Sequence, residues 1–116
     1  MSQPSAKTCR LVDRRDNCRC IRCGKNLEMV AGSRHHRRLR SHPWPGLHLP
    51  SNLVLLCGSG DTGCHGWVHA HPSEARLEGY MVHAWEYPQS KPIYTMRHGW
   101  VLLDDEGEYH PVNMNN

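Results

Sequence analysis

The stretch "SRHHRRLRS", residues 33–41, sets two adjacent histidines, His35 and His36, inside a run of arginines. Adjacent histidines in a small protein are ordinarily incidental surface residues. The pair acquires chemistry only if other segments bring metal-binding or proton-accepting partners to it. Neutral imidazole ligates metals, and its ordinary pKa lies near the pH at which a general base operates. Neighbours in an extended strand point to opposite faces. At a strand end the twist relaxes this, so one ring can bind an ion while the other reaches towards a water.

The 116 residues suffice for one small domain. Only 38% of them are hydrophobic and none is phenylalanine, so the available core is thin. At this size a metal or disulfide staple becomes useful. Six cysteines are present: Cys9, Cys18, Cys20, Cys23, Cys57 and Cys64. The N-terminus "MSQPSAKTCRLVDRRDN" lacks the apolar segment of a signal peptide, and no stretch approaches the ~18 apolar residues of a membrane span. A reducing cytoplasmic setting is therefore expected, with the cysteines binding metal rather than forming disulfides. Charge is uneven. Residues 1–40 hold eleven Lys/Arg against three Asp/Glu, whereas residues 41–116 hold three against eight. A basic front half suggests a polyanion-binding face, although a basic run by itself is more often a solvated surface.

Cys20-x2-Cys23 and Cys57-x6-Cys64 have the makings of a closed tetrahedral zinc site. The x2 spacing lets both sulfurs of a knuckle meet one ion, with Gly24 easing the turn. The longer "GSGDTG" loop is flexible enough to bring Cys57 and Cys64 together. Such an ion supplies stability that the thin core lacks. Cys18 is a rival ligand, and Cys9 has no evident partner.

Around these points the chain reads as a small α+β protein. Residues 1–6 are a loose tail, residues 7–18 a short polar helix with Leu11 and Val12 as apolar anchors. Residues 27–38 read as strand, turn or bulge near Gly32, and strand. "SHPWPGLHLPS", residues 41–51, is a loop because its three prolines exclude regular structure. "NLVLLC", residues 52–57, is a short buried strand. Residues 64–79 are helical, with Pro72 breaking the helix in two. Residues 80–87 and 99–112 alternate in part and read as strands, the second with a turn near Gly107. "NMNN", residues 113–116, is a frayed end. Three stretches result: residues 1–19 as tail and basic helix, 20–79 as the core with zinc knuckles, and 80–116 as a β-rich extension packed on it.

In "CHGWVHAH" the residues His65 and His69 stand four apart, which on a helix puts both imidazoles on one face, as a metal requires of two ligands. Taken together, "SRHHRR", "LPSNLVLLC" and "GCHGWVH" resemble the HNH endonuclease signature in its bacteriophage and actinobacterial form. The match runs from about Cys20 to His71, and its specificity lies in the ordered occurrence of paired cysteines, HH, "NLVLLC" and "CH". The resemblance implies a ββα-metal (His-Me finger) core stapled by one structural Zn²⁺, with two strands, a long loop and a helix around one catalytic divalent ion. It implies His36 as general base, Asn52 as the residue orienting loop and base, and His65 as a metal ligand. His35 stands where many members carry aspartate and is the implied second ligand. His69 is a further ligand, as in nuclease toxins with H-x3-H, whereas in other members that position does not ligate. Imidazole in place of carboxylate softens the site, which leaves Mg²⁺, Mn²⁺, Ni²⁺ and Zn²⁺ all open as the metal.

The implied reaction is metal-assisted hydrolysis of DNA phosphodiester bonds, nicking or cutting both strands. Arg34, Arg37, Arg38 and Arg40 would grip phosphates with little sequence specificity. Family context adds a monomeric, cytoplasmic protein of a phage-infected or prophage-bearing bacterium, working beside the phage terminase during DNA packaging. A different class of function keeps only the cysteines and arginines: a non-catalytic, zinc-stabilised DNA-binding module, or a knuckle that docks a larger protein. His42 and His48 lie in the proline loop within reach of a DNA strand. Trp67 and Trp85 are core residues or stacking platforms, and "DDEGE" is a solvated turn or a second metal site.

Overall fold

In the computed structural model, which describes residues 3–113, the chain is a small α+β protein of three α-helices and two antiparallel sheets among those residues. The order is α1 (Ala6–Arg15), β1 (Gly32–His36), β2 (Leu53–Cys57), α2 (Gly63–Ala70), α3 (Pro72–Glu78), β3 (Ile93–Thr95), β4 (Gly99–Leu103) and β5 (Tyr109–Pro111). Strands β1 and β2 pair with Gly32 opposite Cys57 and His36 opposite Leu53. Strands β3, β4 and β5 form a separate meander. No helix among the described residues is long and apolar enough to cross a membrane.

Strand β2 organises the interior. "LVLLC" is buried at every position, and its two faces alternate. Val54 and Leu56 enter the main core with Val68, Tyr80, Ile93 and Val101. Leu53 and Leu55 meet Val12 of α1 on the other side. Helix α1 is otherwise polar. Ser5 caps it by accepting a hydrogen bond from the Thr8 N–H (3.1 Å), and Arg14 and Arg15 sit where the helix dipole favours cations. The next residue, Asp16, gathers four donors: Arg15 Nε (2.7 Å), Arg15 Nη2 (3.0 Å), the Leu55 N–H (3.0 Å) and the Tyr109 hydroxyl (2.6 Å). One buried carboxylate thereby joins α1, β2 and β5.

The break at Pro72 and the turn at Gly107 are as expected. The "DDEGE" segment is a turn: the Asp104 carboxylate accepts from the Glu106 and Glu108 N–H groups and pairs with His110. Elsewhere the sequence expectations need correction. The N-terminal helix begins at Ala6, inside the expected tail. Residues 27–31 are not a strand, because the Asn26 side chain accepts from the Glu28 N–H (2.9 Å) and starts a turn instead. Residues 80–87 are not a strand either. Tyr80, Met81 and Val82 are all buried without alternation, and His83–Glu86 closes a turn. The unread strand β3 follows and pairs with β4. Of the expected frayed end, residues 114–116 lie outside the described residues.

Arg37, expected to grip phosphate, is instead wholly buried. Its guanidinium donates to the carbonyls of Gly79 (2.8 Å), Ser51 (3.1 Å), Pro88 (2.9 Å) and Lys91 (2.7 Å). With no carboxylate bonded to it among the described residues, burial lowers its pKa to about 9, and the nearby Arg15 cation adds to the effect. The planar five-donor fork suits this task, as lysine would not. Each buried acceptor left without a donor costs about 1–3 kcal/mol. Arg37→Met is therefore expected to lose at least ~3 kcal/mol and to melt ~10 °C or more below the parent. An unchanged melting temperature would contradict this account of Arg37.

Candidate metal centres

Two groups of metal-ligating side chains occur among the described residues. The first is Cys20, Cys23, Cys57 and Cys64, whose sulfurs all lie within 4.8 Å of one another. Cys20 and Cys23 sit on a knuckle closed by the Gly24 N–H to the Cys20 carbonyl (2.7 Å), with Gly24 at φ 87°. Cys57 ends β2 and Cys64 lies in the first turn of α2. The intervening loop returns tightly. Gly58 and Gly63 hold positive φ, and a Cβ on Gly58 would strike the Thr62 carbonyl. Sulfurs around a tetrahedral zinc stand about 3.8 Å apart, as Zn–S bonds of ~2.3 Å require, and Cys23 and Cys57 are 3.7 Å apart. All six cysteines are free. The four could hold a structural zinc, whereas Cys9 and Cys18 stand outside the group.

Arg22 completes this corner. Its guanidinium donates to the Cys64 sulfur (3.5 Å), lies 3.7 Å from the Trp67 ring centroid and pairs with Glu78 (3.1 Å). A zinc tetrathiolate carries two net negative charges, and this cation offsets part of them. Burial pushes the Cys20 and Cys64 thiols above their usual value. Metal binding must therefore release protons.

The second group is His35, His65 and His69, whose ligand nitrogens also lie within 4.8 Å of one another. Helix α2 packs beside β2, and β2 carries β1, so the last residues of β1 face one side of α2. His65 and His69 are one turn apart on that side. The ring centroids are 4.9 Å apart for His35–His65, 5.3 Å for His35–His69 and 4.9 Å for His65–His69. His35 is 1% exposed, and its Nε2 lies 2.7 Å from the Tyr80 carbonyl, which can only accept. That fixes the proton on Nε2 and leaves the Nδ1 lone pair for an ion. Ser33 does the converse for His65. Its hydroxyl donates to the Gly58 carbonyl (3.0 Å), so it accepts from His65 Nδ1 (2.6 Å) and leaves Nε2 free. Such outer hydrogen bonds fix tautomer and ring orientation in metal sites. Burial, reinforced by the neighbouring imidazoles, lowers His35 to about 3 and His65 to about 4. Both are neutral, hence able to ligate, at physiological pH.

His36 borders the trio. Its Nε2 lies 3.1 Å from His48 Nδ1. Burial first, then His48 and Arg40, lower its pKa to about 4. When Nε2 carries the proton and donates to His48, Nδ1 holds the lone pair that a base needs. Asn52 is fully buried, and its side chain bonds to backbone. Its amide accepts from the Arg38 N–H (2.7 Å) and donates to the carbonyls of Arg38 (3.2 Å) and Leu47 (2.9 Å). It thus clamps the backbone just after His36 to the proline loop.

The cleft over these rings has a volume of about 450 Å³. No carboxylate lines it among the described residues, and Arg34 and Arg40 do. Arg34 also pairs with Asp13 through two bonds (2.9 and 2.6 Å), and Arg38 lies over Trp44, 4.6 Å from its ring centroid. The orienting roles of Ser33, of His48 beside His36 and of the Tyr80 carbonyl went unread in the sequence. Ser33 leaves a signal in hindsight, since it lies two residues before His35 on one strand face. The other two come from loops whose course no local pattern specifies. The chain matches no protein-family model, no curated protein and no solved structure in the comparisons made.

Zinc binding contributes on the order of 10 kcal/mol in zinc-finger peptides, as much as the stability of a small domain. Cys23→Ser is therefore expected to lose one equivalent of zinc by native mass spectrometry and to melt ~10 °C or more lower. Unchanged zinc content and melting temperature would show that the four cysteines hold no ion.

Proposed function

We propose that this chain is a metal-dependent endonuclease of the HNH type, hydrolysing DNA phosphodiester bonds, and that β1, β2 and α2 form its ββα-metal core. The observation that carries the reading is the convergence of His36 with His35, His65 and His69 in one cleft rimmed by arginine. A purely DNA-binding zinc module has no use for three imidazoles whose ligand nitrogens lie within 4.8 Å of one another and a fourth, neutral imidazole beside them.

His35, His65 and His69 would hold one divalent ion, and that ion would supply Lewis-acid stabilisation of phosphate charge. The donor set fits such an ion, because the bonds to Tyr80 and Ser33 leave one lone pair on each of His35 and His65. An all-imidazole set favours Mn²⁺, Ni²⁺ or Zn²⁺ over Mg²⁺. His36 would take the proton from an attacking water, its partner His48 holding the ring in orientation. Asn52 acts at one remove, fixing the main chain that carries His36. Arg40 and Arg34 would draw a phosphate backbone to the cleft without reading sequence, whereas Arg37 serves the fold.

Plasmid nicking by the zinc-loaded protein, with Mg²⁺, Mn²⁺, Ni²⁺ or added Zn²⁺, tests the reading. His36→Ala is expected to retain metal content and fold while losing at least ~100-fold in rate, the usual contribution of a general base. Equal cutting by parent and variant, or DNA binding without cutting under every metal, would reject it, the latter in favour of a binding module.

A further inference from the structure

Beside the histidine cleft lies a second concavity, of about 180 Å³, walled by Arg38, Leu39, His42, Arg76, His83 and Trp85. Trp85 is 77% exposed, whereas Trp44, Trp67 and Trp100 are all partly covered. A single exposed apolar side chain is ordinary, and Met29 and Leu77 are equally exposed, so what distinguishes Trp85 is its surroundings. The ring is nevertheless held in place. His83 stacks on one face of it, with centroids 4.3 Å apart and planes 5° from parallel. The turn that carries both is closed by the His83 N–H to Glu86 (2.8 Å) and the Glu86 N–H to the His83 carbonyl (3.0 Å). Glu86 in turn pairs with Lys91 (3.5 Å). One aromatic face is thus buttressed and the other left open.

The surroundings are cationic. Arg38 and Arg76 line the concavity and no carboxylate does among the described residues. Arg38 Nε is itself buried without a hydrogen-bond partner, its guanidinium lying over Trp44. Leu39 lines both this concavity and the histidine cleft, and Arg40, the next residue, lines the histidine cleft. Arginines thus line both cavities, which meet at Leu39. Fixed aromatic faces beside arginines are what single-stranded nucleic acid requires: bases stack and phosphates find cations. A duplex offers no free base face to an indole, because its bases are stacked on one another.

We propose that the Trp85–His83 face is a stacking subsite for an unpaired base, so that the favoured substrate is DNA with a single-stranded segment running from the cleft across Arg38 and Arg76. The position of the cut relative to that base rests on the nuclease reading above. The occupancy of the subsite does not, since it can be measured without cleavage.

The test uses the zinc-loaded, full-length His36→Ala protein and an oligonucleotide of about 12 nucleotides carrying 2-aminopurine, as single strand and as duplex. Binding is read by anisotropy and stacking by quenching of the 2-aminopurine emission. Adding Trp85→Ala is expected to weaken single-strand binding about tenfold and abolish the quenching, the loss typical of one stacked base. Duplex affinity should stay within about twofold, and Trp85→Phe should restore most of the single-strand affinity. Trp85 is exposed, so the variants should melt as their parent does. Unchanged single-strand binding in Trp85→Ala, an equal loss for both DNA forms, or no single-strand binding by the parent would each overturn the subsite. Trp85-dependent binding in a protein whose unmutated form never cuts would reject the nuclease reading alone. Cutting with Trp85-independent binding would reject the subsite alone.

Discussion

Four cysteine sulfurs set the geometry on which the rest of the structure depends. Cys57 is the last residue of β2 and Cys64 lies in the first turn of α2. Holding both against the Cys20–Cys23 knuckle fixes where the strand stops and in which direction the helix leaves. Helix α2 has only eight residues, too few to persist alone in water. Its buried anchors are Cys64 at one end and Val68 one turn on. The two histidines of interest, His65 and His69, each follow one of these anchors in sequence. The placement of the two rings thus follows that of the sulfur cluster.

The opposite wall is set by buried polar groups. Arg37 and Asn52, both fully buried, bind backbone almost exclusively. Together they fasten the residues after β1 to the proline loop, to Gly79 at the end of α3 and to the Pro88–Lys91 segment. The result is a rigid frame built where the sequence has few apolar residues to spend. It also explains why neighbouring arginines have unlike fates. Arg37 is structural, Arg34 is shared with Asp13, and Arg40 lines the cleft. A run of like charges in sequence is not a run of like environments.

Much of the arrangement was legible because it is encoded locally. The x2 knuckle, the x3 spacing of His65 and His69, the apolar run 52–57 and the helix break at Pro72 each follow from one short-range rule. The four-cysteine group follows from those spacings, whereas placing His35 with His65 and His69 rested on the resemblance to the HNH signature. What failed was encoded at long range. Residues 80–87 resemble a strand in composition, yet Tyr80–Val82 pack as an irregular buried segment, with Tyr80 reaching His35 and the Val82 N–H reaching the Arg37 carbonyl, and the residues after them turn out to the surface. The burial of Arg37 depends on four carbonyls from three distant segments, which no pattern within "RHHRR" reports. The roles of Ser33 and His48 went unread for the same reason: each orients another side chain, and such partners are visible only once the chain is folded.

The central claim is that one small scaffold carries two separate ions of different character, one held by sulfur and one by imidazole. The most direct measurement is anomalous diffraction from crystals of the protein grown with Zn²⁺ and then soaked in Ni²⁺. The account predicts two peaks, one surrounded by Cys20, Cys23, Cys57 and Cys64, the other by His35, His65 and His69 with a coordination position open towards the cleft. A single peak at the cysteines with the three imidazoles turned apart would contradict it, leaving the histidines without a metal and the cleft without its chemistry.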